Sequence, residues 1–162
     1  AETLRDRIFA LGRAHDFVRP HSRASAPRNH PATLQSLIAE LLTPYLVDGQ
    51  DRISFEGVDV TIDDAAATPL ALLFHELATN AARFGALSNG TGLVTVSWEI
   101  APDARTLKLT WRESGGPVVT HPERRGFGLR LIEHGLGREL GGMVRLDFAE
   151  DGLVCEWIMK LD

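Results

Sequence analysis

The chain has 162 residues, 44% of them hydrophobic: enough for one domain with a sizeable core, and too few for a second full domain. Its net charge of −5 argues against a nucleic-acid binder that works by neutralising phosphates. The single cysteine, Cys155, excludes a disulfide framework and a zinc set. No apolar run reaches membrane-spanning length and no signal-peptide pattern is present, so a reducing, cytoplasmic setting without direct membrane contact is expected. The charge is uneven. Residues 1–30 carry six Arg against three acids, a net +3, which leaves −8 on the remainder; solvated helix charges explain this as well as a binding surface does.

Leu4, Ile8, Leu11 and His15 fall on one side of a predicted helix over 1–19, with Phe9 and Val18 nearby. Residues 19–31 hold three prolines and read as a linker. Leu34, Leu37, Ile38, Leu41 and Leu42 then give a clean amphipathic helix that Pro44 ends or kinks. From residue 52 the period changes to two. Ile53 and Phe55, then Val58, Val60 and Ile62 after Gly57, predict a short hairpin. A helix is expected from about 69 to 84, started by Thr68 before Pro69 and stopped by Gly85, with Leu70, Leu73, Phe74, Leu77, Ala81 and Phe84 on its buried face. After the Asn89-Gly90 turn, Val94, Val96, Trp98 and Ile100 share one strand face. Leu107, Leu109 and Trp111 share the inner face of the next strand. Residues 114–126 form a Gly- and Pro-rich loop. Leu129, Ile132, Leu136 and Leu140 mark another helix, stopped by Gly141-Gly142, and strands Met143–Phe148 and Leu153–Met159 meet across Glu150-Asp151-Gly152. The expected fold is α+β: a two-layer sandwich of a mixed, mostly antiparallel sheet covered by helices on one face.

Three places can carry chemistry. On the helix of residues 69–84, Glu76 and Asn80 stand one turn apart on the same edge, and Arg83 follows. A carboxylate, an amide and a guanidinium in line can hold a metal, a water and a phosphate; a solvated polar edge explains them too. Glu113 lies two residues after Trp111, so the strand period points its carboxylate toward the core, where it needs a partner. A ligand with an exocyclic amino group supplies one; a frayed strand end removes the need. Gly115-Gly116-Pro117 follows, either to let backbone approach a flat ligand or simply to turn the chain. Gly126-Phe127-Gly128 opens the next helix, where unpaired N–H groups suit a phosphate, with Arg124 and Arg125 just ahead; a tight loop-to-helix turn is the plainer reading. It is neither a P-loop nor a dinucleotide fingerprint. His75 lies beside the polar line and is placed to orient a neighbour. His15, His21, His30, His121 and His134 show no metal-ligand spacing.

The order of these elements resembles the ATP-binding domain of sensor histidine kinases in the GHKL ATPase superfamily, and most of all the HWE subfamily. Its N box is matched by His75-Glu76-Leu77-Ala78-Thr79-Asn80-Ala81-Ala82-Arg83-Phe84-Gly85-Ala86-Leu87-Ser88. Its Trp-x-Glu signature is matched by Trp111-Arg112-Glu113 running into Gly115-Gly116-Pro117, and its second glycine box by Gly126-Phe127-Gly128-Leu129. The likeness covers about residues 50–160. It implies that Asn80 binds the Mg²⁺ that bridges the phosphates of ATP, and that Glu76 polarises or deprotonates the attacking imidazole. Glu113, where most relatives outside the subfamily have Asp, would accept from the adenine amino group. Gly115 and Gly116 would line the adenine pocket. Gly126 and Gly128, flanked by Phe127 and Leu129, would meet the phosphates beneath a lid over 117–125. Arg83 and Phe84 depart from the usual Lys and Tyr; Arg keeps the charge with a different geometry.

The resemblance further implies a division at about residue 30. Residues 1–30 would be the tail of the dimerisation and phosphotransfer helices plus a linker, and 31–162 the catalytic domain. The subfamily's acceptor motif, a His-rich basic stretch followed by Lys-Asn, is absent, so the chain is expected to be a fragment whose acceptor histidine lies elsewhere. Implied partners are ATP, the phosphotransfer helices of the same protein, a response regulator receiver domain and, in the full-length protein, a second copy; no nucleic acid is implied. A GHKL serine kinase of the anti-sigma-factor type is the alternative enzyme, opposed by the 1–19 helix and the Trp-x-Glu signature. A non-catalytic nucleotide-binding module is opposed by the intact Glu76, Asn80 and Glu113.

Overall fold

The computed structural model describes residues 33–46, 51–103, 105–119, 127–130, 132–133 and 142–161, together with Leu4 and Ile8. Five strands form one sheet: β1 (Ile53–Gly57), β2 (Leu93–Ile100), β3 (Thr106–Ser114), β4 (Met143–Ala149) and β5 (Gly152–Lys160), in the order β1-β2-β3-β5-β4. β1 pairs with β2 in parallel, and the other three pairings are antiparallel. Helices α1 (Leu34–Leu42) and α2 (Asp64–Arg83) supply the covering layer, and α3 (Phe127–Arg130) follows β3. The α+β sandwich expected from the sequence is the fold observed.

The sheet's inner face is built by register. Val94 stands opposite Glu113 across β2 and β3, and Phe148 opposite Leu153 across β4 and β5; Val96, Trp111, Cys155 and Leu146 form one full row, and Trp98, Leu109, Trp157 and Val144 the next. Against these rows pack Leu70, Leu73, Phe74 and Leu77 of α2 and Leu34, Leu37, Ile38, Leu41 and Leu42 of α1, all buried in one core. Phe74 meets Trp111 with ring centroids 6.4 Å apart at 50°, which ties the middle of α2 to β3. Cys155 lies in this core, and burial pushes its thiol up to about 12. The expected result is no alkylation of the native protein at pH 8 and one reactive thiol per chain in guanidinium chloride, read by mass spectrometry; modification of the native protein would contradict this burial.

Three expectations are corrected. The first concerns the hairpin over 52–62. After Gly57 the chain leaves the sheet, because the Trp98 ring lies over Gly57 and donates its indole N–H to the Val58 carbonyl at 2.7 Å. Val60 and Ile62 are buried, but the Val60 carbonyl accepts from Leu34 N–H at 2.8 Å and Thr61 makes a lone bridge to Thr33. Alternation marks extended chain and does not name its neighbour. β1 instead runs parallel to β2, and α2 provides the crossover that parallel pairing requires.

The second correction is the start of α2. Asp63 caps it, accepting from Ala66 N–H at 2.8 Å, so Thr68 and Pro69 lie inside the helix. Pro69 removes one rung, but the carbonyl it leaves is that of Ala65, an exposed residue that water can serve. The third is Phe84, expected on the buried face and found 75% exposed. It is the C-cap of α2, with φ −133° and ψ −21°, so the helical period no longer places its side chain. Of the helix expected over 1–19, Leu4 and Ile8 are helical and exposed, and the rest lies outside the described residues.

Candidate functional site

The end of α2 is fastened to the end of β3, and this junction assembles the site. α2 stops at Arg83, and the Gly85 N–H donates back to the Asn80 and Ala81 carbonyls at 3.1 Å each. Gly85 is not a left-handed cap, since its φ is −104°. It is required for space, because a Cβ there would strike Glu113 Oε2. The next residue, Ala86, donates its N–H to Glu113 Oε2 at 2.8 Å, and the Trp111 indole donates to Glu113 Oε1 at 3.1 Å. Glu113 points inward as the strand period required and is only 4% exposed. Its needed partner is therefore supplied, in part, by the protein itself.

Burial raises the Glu113 carboxyl above the usual range, and this outweighs the opposing pull of the Ala86 and Trp111 hydrogen bonds. An ionised carboxylate offers about four acceptor positions, so two donors leave capacity for a third.

The polar line on α2 runs from the interior to the surface. Glu76 is 5% exposed, Asn80 is half-buried and Arg83 is exposed. His75 is half-buried beside it, and both His75 and Glu76 have partners within the fold. The Asn80 side-chain amide makes no hydrogen bond to the protein among the described residues. Arg83 sits in the last turn, where a cation favours the helix dipole.

Gly115 adopts a left-handed conformation, with φ +65°, that a side chain would strain. A Cβ on Gly116 would come within 2.7 Å of Ala86 Cα. Both glycines thus serve the close approach of the loop after β3 to the 85–92 segment. That approach is held by Asn89 Nδ2 and Thr91 Oγ1, which donate to the Gly115 carbonyl at 3.2 and 3.3 Å. Gly126 and the segment 120–126 lie outside the described residues. Phe127 and Gly128 begin α3, and Leu129 on it is half-buried. The structure therefore joins the helix motif to the strand motif directly. It describes the third motif only from Phe127 onward.

Sequence reasoning missed Arg52. Its guanidinium donates to the Gly92 carbonyl from Nε at 2.9 Å and to the Ala86 carbonyl from Nη2 at 2.8 Å. Nothing in the sequence around it signals this. A cleft of about 220 Å³ lies nearby, lined by Pro44, Tyr45, Leu46, Arg52, Ile53, Ala82 and Leu87. Of the motif residues it holds only Ala82 and Leu87 of the N box, and neither carries a proposed role. Ala82 is two residues from Asn80, roughly 200° around the helix, so the cleft and the polar line face different ways.

The residues present suit a magnesium nucleotide. Asn80 offers an unengaged amide oxygen at the helix edge, and Glu113 offers spare acceptor capacity in a buried setting. Among the described residues no three His, Cys, Asp or Glu cluster to make an all-protein metal cage. Mg²⁺ ordinarily needs none, taking one or two protein ligands with phosphate oxygens and water.

The fold resembles that of histidine kinase catalytic domains. It superposes on the histidine kinase domain of a blue-light-activated histidine kinase from Erythrobacter litoralis with a TM-score of 0.70, at 18% identity over 98% of this chain and 74% of that one. The catalytic domain of histidine kinase ThkA gives 0.57 at 19% identity, over 78% of this chain and 93% of that one; ThkA is also seen in complex with the response regulator protein TrrA. Within that class, the resemblance to the HWE histidine kinases holds: the family model described as HWE histidine kinase matches residues 1–59. The blue-light-activated histidine kinase of Brucella ovis is 37% identical over 153 residues, which is 93% of this chain. The chain spans about 30% of that relative's length. No helix among the described residues is long and apolar enough to cross a membrane.

Proposed function

We propose that the chain is the ATP-binding catalytic domain of a two-component sensor histidine kinase. It binds Mg-ATP and passes the γ-phosphoryl group to a histidine outside residues 1–162, from which a response regulator receiver domain is served. Residues 1–30 end the dimerisation and phosphotransfer region, through which a second copy pairs, and residues 31–162 are the catalytic domain. The observation that carries this reading is the meeting of two motifs far apart in sequence. Buried Glu113 grips the Gly85-Ala86 turn that closes the helix bearing Glu76 and Asn80.

In this reading Glu113 accepts a hydrogen bond from the adenine amino group, and Gly115 and Gly116 shape the wall beside it. Asn80 holds the Mg²⁺, which when bound neutralises phosphate charge. The exposed Arg83 adds positive charge at the phosphate end. Gly126 and Gly128, with Phe127 and Leu129, give their backbone N–H groups to the phosphates. Glu76 takes the proton from the attacking imidazole, and His75 orients it. Most of the work is positioning and charge neutralisation, as phosphoryl transfer demands.

Titration calorimetry with ATP or ADP and Mg²⁺ tests this. The chain is expected to bind both. Asn80→Asp, which removes the amide and sets a negative charge against the phosphates, is expected to weaken Mg-nucleotide binding by about tenfold or more, a loss of about 1.4 kcal/mol. Absence of any nucleotide binding by the unaltered chain would sink the reading. Equal affinity in the Asp variant would remove Asn80 from the metal site.

A further inference from the structure

Arg52 lies in none of the motifs and immediately precedes β1. Its backbone is fixed, because its carbonyl accepts from Val94 N–H at 2.9 Å. Its side chain bridges two carbonyls of one loop, those of Ala86 and Gly92. Ala86 is thereby held from both sides. A guanidinium takes its carbonyl, and the Glu113 carboxylate takes its N–H. Glycines crowd the same residue: a Cβ on Gly92 would strike the Ala86 carbonyl oxygen, and one on Gly116 would press on Ala86 Cα. No acid among the described residues pairs with Arg52, so its fork is spent on these carbonyls. A lysine has no planar fork and would reach one of them. Hydrogen bonds in such a chain reinforce one another in a low-dielectric setting.

We infer that Arg52 is a positioning residue for adenine recognition, bracing Ala86 so that its N–H holds the Glu113 carboxylate in place. The inference rests on the reading of Glu113 as the adenine acceptor, and the experiment separates the two. Arg52→Met and Arg52→Lys are compared with the unaltered chain by ¹⁵N NMR of the Ala86 amide and the Trp111 indole N–H, and by calorimetry with ADP and GDP. In Arg52→Met both signals are expected to shift, ADP binding to weaken about tenfold and the preference for ADP over GDP to collapse. Arg52→Lys is expected to fall between, and it carries the test if the Met variant does not fold. Unshifted Ala86 and Trp111 signals, or ADP and GDP binding reduced by the same factor, would overturn the inference. Absence of ADP binding by the unaltered chain would instead fell the proposed function, while the two N–H signals would still decide whether Arg52 holds Glu113.

Discussion

Glu113→Gln is expected to destabilise the protein by roughly 1–3 kcal/mol, the usual cost of leaving a buried donor without an acceptor. The reason is the arrangement of the two donors. Ala86 N–H points at one carboxylate oxygen and the Trp111 indole at the other. Glutamine has a single oxygen, so whichever way it turns, its NH₂ group faces one of these N–H groups. For a chain of this size each kcal/mol lowers Tm by about 2–4 °C. The pH dependence follows from the raised carboxyl. Because burial lifts Glu113 above 4.5, the folded state holds a proton that the unfolded state has released over the window just above that value. The contribution of Glu113 to stability is then fully present below about pH 4.5 and declines as pH rises through its folded value. The gap between the unaltered protein and Glu113→Gln should therefore be widest in acid and narrow toward neutrality. Thermal melts of both proteins across pH 4–8 check this; a gap that widens with pH would mean that the two hydrogen bonds outweigh desolvation. In the same variant, adenine nucleotide binding should fall by an order of magnitude or more, since in the proposed function a donor replaces an acceptor at the adenine edge.

Much of this site is legible in the chain because strand and helix periods are local. Leu107, Leu109, Trp111 and Glu113 alternate without interruption, so the inward carboxylate could be placed from the pattern alone. The same holds for α1, whose four leucines and one isoleucine are all buried. What was not legible depends on partners distant in sequence. Val58, Val60 and Ile62 alternate as a strand does, yet no strand pairs with them; Val60 instead meets the start of α1 through its carbonyl. Pro69 looks like a helix start because local rules favour proline in the first turn, but the Asp63 cap lies six residues earlier and the lost rung falls at Ala65, an exposed residue. Gly85 and Gly116 look like turn or ligand glycines. Their observed necessity is contact with Glu113 and Ala86, residues no local rule connects to them. Arg52 is the extreme case: its two acceptors lie 34 and 40 residues away, and only the fold brings them to it.

Glu76→Gln is expected to slow phosphoryl transfer by about 10²–10⁴-fold, the range that a positioned general base or polarising carboxylate supplies. Glu76 and Asn80 share one edge of α2 but differ in burial, with Glu76 95% removed from solvent and Asn80 half-buried. In the proposed function that gradient separates their tasks. A half-buried amide can reach a solvated metal, whereas a buried carboxylate meets only a substrate group brought into the fold to it. Glutamine keeps the volume of Glu76 while removing its charge, one acceptor oxygen and its ability to take a proton. The nucleotide affinity of Glu76→Gln should accordingly stay within about threefold of the unaltered chain, as expected for an interaction made in the transition state alone. The measurement is acid-labile phosphate on the acceptor histidine, supplied in cis or in trans, alongside calorimetry with Mg-ADP. A loss of affinity that matches the loss of rate would reassign Glu76 to nucleotide binding, and an unchanged rate would leave His75 as the neighbouring group to test for the proton.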